Sequence, residues 1–232
     1  MSGKPASISI ILFAVIFILS ACNNNPKQAK KELEKRGIKF SEESFLKCQQ
    51  TADTKTVKLF LDSGIDINAK NNSGQTALML ASSFGFEDTV KLLINYKADV
   101  NAEDNLGWTA LLYTSGDGNP DVIKLLVKAG ANINSSDVYG NTPLMVAAEN
   151  NSEKIIKMLI KSGANVNAKN KYGSTPLMRA CLYGYKNAAK TLIEAKVDVN
   201  AKNSFNMTAL DWARQGNFTE IVQMLKSGGA RE

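Results

Sequence analysis

From residue 76 onward, apolar and polar positions alternate in two kinds of cluster that recur along the chain. Short apolar runs headed by threonine stand at Thr76-Ala77-Leu78, Thr109-Ala110-Leu111, Thr142-Pro143-Leu144, Thr175-Pro176-Leu177 and Thr208-Ala209-Leu210. Fourteen to sixteen residues after each threonine comes a second cluster: Val90–Ile94, Ile123–Val127, Ile156–Ile160, Ala189–Ile193 and Val222–Leu225. The five threonines are each 33 residues apart, and so are Asn68, Asn101, Asn134, Asn167 and Asn200. A threonine hydroxyl caps a helix, and proline or alanine suits its first turn, so each threonine run predicts the start of a short helix. Gly64, Gly130 and Gly163 predict the end of the second helix, where a residue of positive φ is needed. Small residues at Ala81, Ala147, Ala180 and Ala213 let helices approach closely. One helix pair cannot cover its own apolar face, so neighbouring pairs must stack into a curved solenoid.

This pattern resembles the ankyrin repeat across 195 residues, from Ile38 to the carboxyl end. The resemblance implies an all-α solenoid of six stacked helix-turn-helix units joined by β-hairpin turns: 38–70, 71–103, 104–136, 137–169, 170–202 and 203–232. The first unit holds Glu43 where the threonine is expected and reads as an amino-terminal cap; the last carries Asp211, Arg214 and Gln215 and reads as a carboxyl-terminal cap. The family's histidine after the threonine motif is replaced by Met79, Leu112, Met145, Met178 and Asp211, so apolar packing must offset its missing hydrogen bonds. The third unit substitutes Thr114 for the small alanine and follows it with Gly116 and Gly118, which makes it the softest part of the stack.

The amino end has a different pattern. An apolar run from Ala6 to Leu19 gives a helix of ~21 Å, short of the ~30 Å hydrocarbon core, so residues 1–21 read as a signal peptide. Leu19-Ser20-Ala21-Cys22 resembles the bacterial lipobox, which implies lipid on Cys22 as the first mature residue. Asn23 is not the aspartate that favours the inner membrane in enteric lipoproteins, so that resemblance points to the outer membrane of a bacterial envelope. Residues 22–37 then read as a basic tether with a short helix, reaching ~20 Å from the bilayer. Its basic side chains either lie near anionic headgroups or form a solvated helix face; both readings stay open.

Charge and composition narrow the chemistry. The formal charge is +6, but Lys4 and residues 23–40 account for five of it, leaving a body of net +1 and no case for nucleic acid. The chain has no histidine, which excludes histidine-based nucleophile arrangements and histidine metal sites. Cys22, Cys48 and Cys181 form no C-x-x-C pair; Cys48 and Cys181 fall four units apart and read as small core residues. Asp117, Asn119 and Asp121 imitate a calcium loop, but Val122 and Lys128 stand where glycine and glutamate are required, so Asn119 and Pro120 read as a helix start. No cofactor and no metal are expected, and the chain is not read as an enzyme, although an enzyme remains the rival from another class.

The candidate binding residues follow the repeat. Just before each hairpin glycine position stand Ser73, Leu106, Tyr139, Tyr172 and Phe205, with Trp108 two places beyond Leu106 and with Phe84 and Tyr183 at inner-helix ends. In proteins resembling this one, these places line the concave face that grips partners, and exposed aromatic rings are favoured anchors. The alternative is that the rings pack across their own turns. The sequence therefore reads as a monomeric, membrane-anchored protein-binding module; within that reading, an immunity-type inhibitor of a toxic enzyme in the periplasm is the alternative to a scaffold.

Overall fold

The computed structural model describes residues 25–231, so the signal peptide expected at 1–21 and the lipidation site at Cys22 lie outside the described residues. Thirteen helices occur among the described residues. The first, α1 (Pro26–Lys35), precedes six pairs, each a shorter inner helix followed by a longer outer one. The inner helices are α2 (Glu42–Cys48), α4 (Ala77–Ser83), α6 (Ala110–Ser115), α8 (Pro143–Glu149), α10 (Pro176–Leu182) and α12 (Ala209–Gln215). The outer helices are α3 (Thr54–Asp62), α5 (Glu87–Asn95), α7 (Pro120–Lys128), α9 (Glu153–Lys161), α11 (Lys186–Glu194) and α13 (Thr219–Ser227). Inner helices pack on inner and outer on outer, giving the two-layered solenoid expected from the sequence.

Each threonine begins its inner helix as predicted. Thr76, Thr109, Thr142, Thr175 and Thr208 accept the backbone N–H three residues ahead at 3.2–3.4 Å. In the place of the missing histidines, Met79, Leu112, Met145 and Met178 are fully buried, while Asp211 accepts the Thr208 N–H at 2.7 Å and closes a capping box. That bond, from the Thr208 backbone, is the first reason the Asp211 carboxyl sits below its ordinary pKa. The helix start at Pro120 is also as read, with Asn119 accepting the Asp121 N–H at 2.9 Å.

The outer helices all end on a left-handed residue, in the same register: Gly64, Lys97, Gly130, Gly163, Lys196 and Gly229. Beyond them the asparagines of the 33-residue ladder tie units together. Asn68, Asn101, Asn134, Asn167 and Asn200 each accept a backbone N–H 31 residues ahead at 2.7–2.9 Å, and Asn101, Asn134 and Asn200 also donate to the carbonyls of Gly130, Gly163 and Gly229. The repeated asparagine is therefore an interunit strap made of hydrogen bonds, and its spacing follows from the stacking.

Two expectations change. The first unit starts its inner helix at Glu42, with Ser41 accepting the Ser44 N–H, so the cap lies two residues before the Glu43 position where the register expected it. The helix expected in the 22–37 tether is present but is docked on the body. In α1, Leu33 is fully buried and Ala29 nearly so, both against α3, and the Arg36 guanidinium donates to the Thr56 hydroxyl at 3.2 Å. From Pro26 onward this segment is thus part of the packed stack and not a loose spacer.

The third unit departs from the repeat where the sequence predicts weakness. Its inner helix, α6, has 6 residues, and the buried Thr114 hydroxyl has no hydrogen-bond partner. Two residues before the outer helix, Ala52, Gly85, Asn151, Gly184 and Asn217 take positive φ, but Gly118 in the same register does not. The chain there presses over Thr114, whose hydroxyl would stand only 2.2 Å from a Cβ placed on Gly118.

Candidate protein-binding face

The hairpins that carry the candidate residues are built by one repeated device. Asn71, Asp104, Asp137, Asn170 and Asn203 each accept two backbone N–H groups, from the residues two and four places ahead, at 2.8–3.0 Å. This fixes a tight turn with the third residue at its tip. The residue after each tip has positive φ: Gly74, Gly107, Gly140, Gly173 and, in the last unit, Asn206. Glycine is needed there for a second reason, because a Cβ on Gly173 would approach Asn203 Cα to 3.0 Å as the next hairpin stacks over it. Among the described residues no strand occurs; each hairpin is a turn closed by a bond such as Asp137 N–H to Asn141 C=O at 3.1 Å.

Neighbouring tips are joined through the backbone. Asn105, Val138, Lys171 and Ser204 donate their N–H groups to the carbonyls of Ser73, Leu106, Tyr139 and Tyr172 at 2.9–3.0 Å. The tips therefore form one strip. On it Leu106, Tyr139 and Tyr172 are about half exposed and Phe205 is 70% exposed. Val138, 41% exposed, adds to the same strip.

Trp108 is placed differently from the tips. Its ring lies 5.2 Å from the Tyr113 ring on α6 and is only partly exposed, so it packs where the hairpin meets the inner helix. Tyr113 in turn donates to Asp104 at 2.6 Å and accepts from Gln75 at 2.7 Å, a bridge from the second unit to the third. Burial first, and then the Asp104 carboxylate, push the Tyr113 phenol up to about 12, so it remains a neutral donor.

Phe84 and Tyr183, at the ends of α4 and α10, are also exposed, each stacked on a second ring, Phe86 and Tyr185. Tyr183 belongs to a polar cluster across the fourth and fifth units. Its hydroxyl donates to Glu149 at 2.9 Å, and this bond is the main reason its pKa is raised. Arg179, on α10, lies 3.7 Å from the other Glu149 oxygen and donates to Asn141 at 3.1 Å. Through Arg179 and Asn141 this cluster is joined to the hairpin that carries Tyr139.

Three residues of this face escape a reading that follows hairpin tips: Tyr113, Arg179 and Asn141. The register contains two of them, since Leu80, Tyr113, Val146, Arg179 and Trp212 are spaced by 33 and stand four places after each threonine, whereas Asn141 stands just before Thr142, as Trp108 does before Thr109. At the amino-terminal end, α2 and the hairpin of the second unit, with Ser73 at its tip, flank an open groove of about 880 Å³ lined by Glu42, Glu43, Lys47, Ser73 and Leu80.

The face offers aromatic surface and hydrogen-bonding groups. Burial pushes the Cys48 thiol up to about 11 and the Cys181 thiol up to about 12, which leaves both protonated at neutral pH. Among the described residues, no group of three or more acidic or cysteine side chains is placed to hold a metal.

A family model described as Ankyrin repeats (3 copies) matches the chain in five overlapping stretches, residues 17–104, 44–137, 97–170, 117–203 and 168–231. A comparison with curated proteins finds no match.

Proposed function

Because the chain belongs to the ankyrin-repeat family, we propose that it is a protein-binding module of a bacterial envelope, anchored by lipid on Cys22 and gripping another protein with its hairpin tips and inner helices. Ankyrin repeats are protein–protein interaction modules, generally without catalytic activity, and no catalytic family is indicated for this chain. The observation that carries the binding reading is the tip strip. Tyr139 and Tyr172 stand on adjacent hairpins, their positions fixed by a 2.9 Å backbone bond and by the Asx turns, with half of each side chain in solvent. Tyrosines on a backbone fixed this way have few side-chain torsions left to order on binding and supply large amphipathic contact area. The anchor reading is supported by the apolar run Ala6–Leu19 and by Leu19-Ser20-Ala21-Cys22 directly after it.

Two experiments test the two halves. Labelled palmitate enters the wild-type protein and not Cys22→Ala; label in both removes the anchor. For the binding face, Tyr139→Ala with Tyr172→Ala lowers affinity for the cross-linked partner by at least about thirtyfold, while the melting temperature stays nearly unchanged. Undiminished binding by that variant refutes the role of the strip. Trp108 is a poorer probe, since its contact with Tyr113 mixes stability with binding.

A further inference from the structure

The docking of α1 gives its basic side chains a fixed direction. Ala29 and Leu33 face α3, so the opposite side of the helix carries Lys27, Lys31 and Lys35, all exposed and spaced four residues apart. They make one row of about 12 Å at 1.5 Å per residue. Like charges at this spacing repel and weaken a helix, so the row is not there for helix stability. The acidic groups nearby only partly offset it: Glu32 lies 3.7 Å from Lys35 and 3.4 Å from Arg36, and Glu34 is exposed near the end of the row. Lys30 is set over the Phe40 ring at 4.3 Å, and Lys39 extends the positive charge past the helix. On the outer helices, Lys58, Lys124 and Lys157 each meet a carboxylate of their own helix at 2.5–2.6 Å, closer than the 3.7 Å between Lys35 and Glu32.

We infer that the exposed face of α1 is a docking surface for an anionic phospholipid bilayer, which sets the amino-terminal end of the solenoid against the membrane and turns the remaining units away from it. This deepens the anchored reading and rests on it for bringing the bilayer close. Residues 23–25 separate Cys22 from α1, and three residues span at most about 10 Å, close to the Debye length of ~8–10 Å. Lipid on Cys22 would therefore hold the row where headgroup charge is still felt. With α1 docked on the body, the charge acts on the orientation of the whole stack, which a loose basic tether would not do.

The test uses residues 22–232 with Cys22→Ser, which retains every described residue and carries no lipid, so its outcome is independent of whether Cys22 is acylated. Sedimentation with vesicles of phosphatidylglycerol and phosphatidylcholine should show binding that vanishes on pure phosphatidylcholine and weakens steeply with added salt. Lys27→Gln with Lys31→Gln and Lys35→Gln should lower the partition coefficient by about a hundredfold, taking roughly a tenfold or smaller step for each lysine near the surface. The control Lys91→Gln with Lys157→Gln and Lys190→Gln, which removes the same charge from outer helices, should leave most binding in place. Helicity is read in parallel so that a misfolded variant is recognised. Equal loss in both triple variants, no preference for the anionic vesicles, or retention on heparin without vesicle binding would each overturn the inference.

Discussion

The repeated left-handed residue after each outer helix allows one energetic quantity to be isolated. Gly163 has φ +92° and no heavy atom lies within 4 Å of a Cβ built on it, so Gly163→Ala adds a methyl group without a clash. What remains is the cost of holding an L-residue in the left-handed region, ~1–2 kcal/mol, reduced by the 0.5–1 kcal/mol that glycine loses in chain entropy on folding. A net loss of about 1 kcal/mol is expected, or a fall in melting temperature of roughly 2–4 °C for a chain of this size. The same register supplies the inverse experiment. Lys196 already stands there at φ +58° with its side chain exposed, so Lys196→Gly gives up little packing and should raise the melting temperature by up to a similar amount. Lys97, at φ +68°, should behave in the same way. Thermal unfolding followed by circular dichroism measures all three variants. A neutral Gly163→Ala, or a Lys196→Gly that lowers stability, would refute the account of how the outer helices end.

Thr114→Ala should stabilise the protein by about 1 kcal/mol, because it removes a buried hydroxyl without a partner at a position where four of the other five units hold Ala81, Ala147, Ala180 and Ala213; a melting temperature below wild type would contradict this. In the wild type, hydrogen exchange should be faster in α6 than in α8, and the reverse order would show that the third unit is not the soft point. With the thiols at about 11 and 12, only about 0.1% of Cys48 and 0.01% of Cys181 is thiolate at pH 8, so iodoacetamide should leave both unmodified in the folded state and label both in denaturant. Rapid native labelling of Cys181 would show that the fifth unit opens.

The repeat register was legible because it rests on local chemistry that each unit repeats: the threonine caps, the Asn119 cap and the glycines of positive φ. The asparagine ladder shows in the sequence only as a period, since its partners lie 31 residues away and come into reach through stacking. The docking of α1 was not legible for a similar reason. Its buried face consists of Ala29 and Leu33 alone, too short an apolar stripe to distinguish a packed helix from a charged, solvated one. In the first unit, Ser41 caps α2 because its hydroxyl can reach the Ser44 N–H, a local bond that overrides the register. On the binding face, the tips follow from the Asx turns, whereas the Trp108–Tyr113 contact and the Arg179 cluster depend on how a hairpin meets the inner helix beside it.

The central claim, that this face grips a protein partner, is tested most directly by photo-crosslinking in the native cell. A photoreactive phenylalanine derivative replaces Tyr172 on the tip strip in one strain and Lys157 on the outer helix α9 in another. The account predicts a discrete cross-linked protein from position 172 and none from position 157. A partner captured from position 157 but not from position 172 would place recognition on the opposite side of the solenoid and contradict the account.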